Sequence, residues 1–343
     1  MQGEPEPSGS APLGSVPSGA RVSDETEGAI LARILPLLTP SSSATLGPGD
    51  DAAVVAAPDG RFVVTTDLMV HGPDFRLAWS SPWELGWKAA ATNLSDVAAM
   101  GARPTALVIA LAVTPDMLVL SLEDFARGVS AAVEELSPGC GIVGGDLSVS
   151  DTFTIAVTAF GDLEGRTPVV RSGARIGDDV AVSGVLGHAA DGLRLLFRDA
   201  VDEDGRPDAD RAERLRTTDG GRLAAQLTPR PPIADGVLAA KAGATAMLDL
   251  SDGLAKDAAR VAAASGVGID FDSAALGPDV PLALGGGEDH SLFATFPPGT
   301  PLPGGFRRVG AVVESSIAAV TCDAEPVDVG GWDPYAGWDG GRD

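Results

Sequence analysis

The sequence predicts a two-domain α+β protein, and three observations carry that prediction. Short apolar runs of strand length alternate with longer stretches whose apolar residues recur at helical spacing. Turns between them are built on glycine and aspartate. The chain has 343 residues, more than one small core absorbs, and this suits two domains of roughly 150 residues each. With 44% hydrophobic residues the chain is globular rather than disordered. The expected division is a leader over 1–22, an N-terminal domain over 23–162, a C-terminal domain over 163–335 and a tail over 336–343.

Residues 1–22 are rich in Gly, Pro, Ser and Glu and read as a disordered leader. Ser23 or Asp24 is placed to cap a helix in which Ile30, Ile34 and Leu37 share a face. Ser41–Gly49 reads as a small-residue loop leading to Gly49-Asp50-Asp51-Ala52-Ala53-Val54, paired carboxylates at a turn and then a strand. Arg61–Thr66 reads as a second strand with Asp67 at or just past its end. The two strands suggest a hairpin-like pair opening on one site.

The chain is organised around Gly86–Pro104, GWKAAATNLSDVAAMGARP. Trp83, Trp87, Ala90, Leu94 and Val97 fall on one helical face, Pro82 suits the first turn, and Gly101 and Pro104 end the helix. Asn93 and Asp96 interrupt the apolar pattern, and the small residues after them allow close approach to a cleft. Leu107–Val113 is an apolar strand. Ser121 with Asp124 resembles a capping box opening a helix with Leu122, Phe125, Val129 and Leu136 inward. Gly144-Gly145-Asp146 begins a further turn and strand, and Thr154–Phe160 is the last strand of this domain.

The second half starts with a polar connection over 162–178 containing Arg171 and Arg175, followed by a strand at Asp179–Ser183 and a helix at Gly187–Phe197. Residues 199–220 are so charged that they read as a solvated insertion. Short helices are expected at Leu223–Leu227 and Ile233–Ala240. Ala246–Leu250 is a strand delivering Asp249-Leu250-Ser251-Asp252-Gly253, with Asp252 placed as the cap of the next helix. Gly285–Asp289 precedes a strand at Ser291–Phe296, and 307–314 holds another. Gly330–Tyr335 reads as an aromatic loop.

Charge narrows the function. Acidic residues number 48 against 24 basic, a formal net charge of -24. That field repels nucleic acid and anionic membranes. It also repels phosphate, so a phosphorylated ligand needs bridging cations. Two cysteines, Cys140 and Cys322, make no disulfide framework and no zinc spacing. With neither a signal-peptide pattern nor an apolar stretch of transmembrane length, a cytoplasmic protein is expected.

Asp50, Asp67, Asp96, Asp146, Asp249, Asp252 and Asp289 share a habit: most stand at an element end beside Gly or Ser. One such aspartate is an ordinary cap or turn residue. Seven point to a shared site, and converging carboxylates need a counter-ion. Mg²⁺ suits hard oxygen ligands and completes its shell with water and phosphate oxygens. Phosphoryl transfer needs positioning and charge neutralisation more than a nucleophile. The P-loop and protein-kinase motifs are absent, so any ATP site must be built from acidic strand ends and glycine turns.

The ordered set Gly49-Asp50-Asp51-Ala52, Thr65-Thr66-Asp67, Asn93–Gly101, Gly144-Gly145-Asp146, Asp249–Leu254 and Gly286–Asp289 resembles the thiamine-monophosphate kinase family, within the aminoimidazole-ribonucleotide-synthetase-like ATP-binding superfamily. The resemblance spans about residues 24–335. It implies a synthetase-like fold whose N-terminal sheet pairs across a homodimer, with a C-terminal α/β domain closing the nucleotide and substrate site. It implies Mg²⁺-dependent, direct in-line transfer of the ATP γ-phosphate onto thiamine monophosphate. Carried over by resemblance, Asp50, Thr65, Thr66, Asp67, Asp96, Asp146, Asp249 and Asp252 hold metal. Asp50, Thr65, Asp146, Arg171 and Ser251 meet the nucleotide. Asp74, Glu288 and Trp332 face the acceptor. An aromatic plane suits a flat heterocycle and a carboxylate suits its cationic or amino end.

Two departures stand out. The family reads D-x-L-V-E-G-x-H-F after the second strand, whereas this chain reads Asp67-Leu68-Met69-Val70-His71-Gly72-Pro73-Asp74-Phe75. Asp74 takes the histidine place, and a carboxylate beside a substrate phosphate is unfavourable unless a cation bridges them. The second is Trp332-Asp333-Pro334-Tyr335, where a His-Phe pair is usual. The alternatives are a superfamily relative acting on another small acceptor, or a non-catalytic metal-binding dimer. The selenophosphate and hydrogenase-maturation branches would need a cysteine before Asp50 or at the C-terminus, and the sequence offers neither.

Overall fold

A computed structural model describes residues 19–48, 52–315 and 318–330. In chain order the elements are α1 (Glu27–Ile34), β1 (Ala44–Leu46), β2 (Val54–Val55), β3 (Val63–Val70), α2 (Pro82–Ala99), β4 (Arg103–Val113), α3 (Val119–Leu136), β5 (Gly141–Val149) and β6 (Thr154–Asp162). There follow β7 (Asp179–Ser183), α4 (His188–Asp199), α5 (Ala209–Leu227), α6 (Ile233–Ala242), β8 (Ala246–Leu250) and α7 (Leu254–Ser265). The last are β9 (Gly268–Phe271), α8 (Ser273–Leu276), α9 (Val280–Gly285), β10 (Ser291–Phe296), β11 (Arg307–Val313), β12 (Val320–Cys322) and β13 (Glu325–Pro326).

The first sheet has the order β3-β6-β4-β5. β6 runs antiparallel to β3 and β4, while β4 and β5 are parallel, as the crossover through α3 requires. α2 and α3 cover one face. They approach closely because of two glycines: a Cβ on Gly86 would lie 2.1 Å from the Phe125 carbonyl oxygen, and one on Gly128 1.9 Å from that of Trp83. The other face carries the exposed side chains Val64 and Leu68. The second sheet has the order β13-β12-β9-β11-β7-β10-β8, and α7 buries Leu254, Ala258 and Val261 against it.

α2 lies between the two halves and is buried along nearly its whole length. Its start is a capping box: Ser81 Oγ accepts from Glu84 N at 3.3 Å and Glu84 Oε2 from Ser81 N at 2.8 Å. Pro82 occupies the first turn, and Gly101 exits with φ 71°. The apolar core around α2 continues through α6 to Met247, Leu292 and Phe296 of the second sheet. This helix carries a site wall because it touches both halves.

Several local expectations are corrected. α1 is capped by Thr26, not Ser23 or Asp24, which belong to a 3-10 turn, and Leu37 falls in a second such turn. Part of the expected loop at 41–49 is β1, which pairs with β2. β2 is therefore no hairpin partner of β3, and Asp67 is mid-strand, opposite Val157 of β6. α3 begins at Val119 without a side-chain cap, and Asp124 bonds Arg127 Nη1 at 2.6 Å instead. Gly144-Gly145-Asp146 lies inside β5.

The charged stretch expected as an insertion contains most of α5, a 19-residue helix kinked at Asp219. Its apolar stripe is thin (Ala212, Leu223 and Leu227), and it packs with Leu195 and Leu196 of α4 around Trp79. Arg216 of α5 clamps Glu84 of α2. Asp252 does not cap α7. Gly253 occupies that position with φ 114°, which favours glycine.

Candidate active site

Four segments converge on one cavity. On β3 the pleat sends Thr65 and Asp67 to the helix-covered face and Thr66 to the other. On α2, Lys88, Thr92 and Asp96 form a stripe four residues apart. The turn after β8 presents Asp249, Ser251 and Asp252, and the loop before β10 presents Glu288 and His290. These residues, with Leu68, Met69 and Asp74, line a cavity of about 190 Å³. Of the residues singled out in the sequence, Asp67, Asp74, Asp96, Asp249, Ser251, Asp252 and Glu288 meet here. Thr65 joins them by donating to Asp96 Oδ2 at 2.8 Å.

Others lie elsewhere. Thr66 donates its hydroxyl to the Val157 carbonyl at 2.9 Å and faces away from Asp67. Asp146 stands in register with Ala110, Ala156 and Leu68 across the sheet, on the uncovered face. It borders a second, largely apolar cavity of about 310 Å³ walled by α1, α3, β4 and β5. Arg171 is exposed in a 3-10 turn. Asp289 caps α4, accepting from Gly187 N at 2.5 Å and Ala189 N at 2.7 Å. Asp50 and Trp332 lie outside the described residues.

The cavity's electrostatics are those of crowded carboxylates. Burial, then Asp249 and Asp67, push the Asp96 carboxyl up to about 7. Burial also raises Asp67, with Asp249 adding to it and His290 opposing. Burial works against ionising Asp249, but a hydrogen bond from His290, that ring's charge and Ser95 outweigh it and hold its carboxyl low. His290 Nδ1 and Ser95 Oγ each lie 3.2 Å from Asp249 Oδ2. Asp252 is held by Arg260 and by Lys256 at 3.3 Å. Its backbone N–H is held by the fully buried Asp257 at 3.0 Å.

Among the described residues no three carboxylate, imidazole or thiol groups close tightly enough to bind an ion unaided. The donors nevertheless suit a hard divalent cation. They are all oxygens, burial and then their mutual repulsion raise the Asp96 carboxyl to about 7, and Mg²⁺ takes only one or two carboxylates alongside water and phosphate.

Lys88, Thr92, His290 and Gln226 escaped the sequence reading. Lys88 and Thr92 had a signal: they stand eight and four residues before Asp96. His290 had only its position after Asp289. Gln226, in the stretch taken for a short helix behind an insertion, had none.

The first sheet, covered on one face by two helices, lies in an aminoimidazole-ribonucleotide-synthase-related N-terminal domain. A family model described as "AIR synthase related protein, N-terminal domain" matches residues 49–163. The chain is 40% identical over 327 residues to the thiamine-monophosphate kinase of Mycobacterium tuberculosis, covering 91% of this chain and 90% of that protein. Among solved structures it resembles "AaThiL complexed with AMPPCP and TMP", at 33% identity and TM-score 0.69, over 82% of this chain and 90% of that one. It also resembles the thiamine-monophosphate kinase of Stenotrophomonas maltophilia, at 30% identity and TM-score 0.72, over 88% and 96%. The chain belongs to the thiamine-monophosphate kinase family.

Proposed function

We propose that this protein transfers the γ-phosphoryl group of ATP to thiamine monophosphate, giving thiamine diphosphate and ADP. The observation that carries the reading is the single cavity that joins Asp67, Asp96, Asp249 and Asp252 to Lys88 and Glu288. Carboxylates for a cation–phosphate assembly stand there beside a charged pair suited to an acceptor with a cationic ring and an amino group. An oxygen of the acceptor's phosphate forms the new P–O bond as the bond to the bridging oxygen of ADP breaks. Asp50, Asp67, Asp96, Asp249 and Asp252 would hold Mg²⁺, which when bound neutralises charge on the phosphate oxygens. Thr65 orients Asp96, and His290 with Ser95 orients Asp249. The Thr66 hydroxyl is committed to β6, so we leave it out of the ligand set. Ser251, Asp146 and Arg171 serve the nucleotide.

Asp74 no longer argues against this acceptor. Its Oδ2 accepts from Val70 N at 2.7 Å. Lys88 and Asp74 border the same cavity. Burial, and then Glu288, raise the pKa of this carboxyl against the Val70 bond and Lys88, so the group that stands where the family has histidine keeps a proton more readily than a free aspartate.

We further propose two domains, 23–162 and 163–335, and a homodimer formed through the uncovered face of the first sheet. There Phe62, Val64 and Leu68 are 58, 54 and 60% exposed, an apolar cluster of the kind that marks an interaction surface. We place the protein in the cytoplasm without nucleic-acid or membrane partners, consistent with its charge. Among the described residues no helix is long and apolar enough to cross a membrane.

The test is product formation from ATP, Mg²⁺ and thiamine monophosphate, with thiamine and aminoimidazole-type acceptors in parallel. Thiamine diphosphate should form only from the monophosphate and vanish in Asp96→Asn. ATP binding without thiamine diphosphate would refute the acceptor.

A further inference from the structure

Glu288 is held with unusual completeness for a side chain that borders a cavity. Its Oε2 receives Lys88 Nζ from α2 at 3.0 Å and Gln226 Nε2 from α5. Lys88 and Gln226 are themselves buried, 6 and 5% exposed, whereas a third of the Glu288 side chain is open. Among the described residues both bonds end on Oε2 and none on Oε1. Backbone geometry tightens the arrangement. Glu288 is one of the few non-glycine residues with positive φ, 66°, and its N–H is tied to the Ser251 carbonyl at 2.8 Å.

Gln226 supplies the telling detail. Its Oε1 is buried without a hydrogen-bond partner among the described residues. Flipping the amide would give that oxygen nothing and set it against the Glu288 carboxylate, so the orientation is decided by Glu288. A buried polar atom left without a partner calls for an explanation. Here the explanation is that the amide serves the carboxylate.

We propose that Lys88 and Gln226 are positioning residues for acceptor selectivity, fixing Glu288 so that Oε1 alone meets the acceptor. The inference rests on the reading that Glu288 faces the acceptor. With Oε2 saturated, Glu288 offers one acceptor atom in one direction. An N–H or a cationic centre placed there gains a charge-assisted bond, whereas an oxygen is repelled. Released from its two donors, the carboxylate turns and the distinction weakens. α5 thereby enters the recognition machinery, though Gln226 does not line the cavity.

The experiment compares thiamine monophosphate with the analogue in which oxygen replaces the pyrimidine amino group. The kcat, KM for each acceptor and KM for ATP are measured for the unaltered protein and for Lys88→Met, Lys88→Arg, Gln226→Leu and Gln226→Asn. Lys88→Met, Gln226→Leu and Gln226→Asn should raise KM for thiamine monophosphate and cut its preference over the analogue, each on the order of tenfold. KM for ATP should hold, and Lys88→Arg should keep the preference. Variants that lose kcat on both acceptors alike, with the preference intact, would reduce the two residues to structural support and overturn the proposal. If the unaltered protein phosphorylates neither acceptor, the kinase reading itself falls and takes the proposal with it.

Discussion

Replacing Asp96 by Asn should stabilise the metal-free protein at alkaline pH while abolishing its activity. The native state moves the Asp96 carboxyl from 3.8 to about 7. It therefore holds that proton more tightly than the unfolded chain does. Stability is fully present below about pH 4, declines as pH rises, and the loss is complete above about 7. The shift is about three pKa units at about 1.4 kcal/mol each, which sets a ceiling of about 4 kcal/mol. Asp249, held low partly by its bond with Asp96, returns some of that, so about 2 kcal/mol is expected. For a chain of this size that corresponds to about 3 °C in Tm. Asparagine keeps an oxygen for the Thr65 hydroxyl, so little else changes. The assay is thermal unfolding of both proteins in chelator at pH 5.5 and 8. The variant should melt higher at pH 8 and by roughly half as much at pH 5.5, midway between the two pKa values. Mg²⁺ with ATP should stabilise only the unaltered protein. Equal melting at pH 8, or a gap of the same size at both pH values, would refute the account of crowded carboxylates.

Three further outcomes follow from the geometry. Thr65→Val should lower kcat/KM at least tenfold, because its hydroxyl orients Asp96, whereas Thr66→Val should change it less than about threefold; steady-state kinetics decides between them. Asp257→Asn removes the buried anchor of Arg260 and of the Asp252 backbone, and should lower the free energy of unfolding in urea by about 3 kcal/mol. Leu68→Asp, on the uncovered sheet face, should convert a dimer to a monomer in light scattering without loss of secondary structure by circular dichroism.

Strands bounded by glycine and aspartate were legible in the sequence: Asp179–Ser183, Ala246–Leu250 and Ser291–Phe296 match β7, β8 and β10 residue for residue. The central helix was legible too, because its start and stop signals are local. What escaped is what tertiary contact decides. β3 runs four residues beyond Thr66 because β6 supplies a partner for all of them. α5 was hidden because only a narrow apolar stripe among arginines and aspartates faces α4. At the site, the identity of the carboxylates could be read, but their grouping could not. Whether Thr66 or Thr65 reaches Asp96 depends on the pleat. Whether Asp289 joins the cavity or caps α4 depends on a partner a hundred residues away.

Strand β3 carries a further consequence. Its odd-numbered residues Thr65 and Asp67 serve the cavity, and its even-numbered residues Val64, Thr66 and Leu68 serve the exposed face. The two sets alternate along one ribbon, so they cannot drift independently. Inserting or deleting one residue in this strand would exchange them at a stroke, setting carboxylate and hydroxyl on the outer face and leucine and valine among the phosphates. Substitutions can be sampled here one side at a time, but length cannot. Relatives that differ everywhere else should therefore keep the distance in sequence between Thr65 and the end of the strand free of gaps.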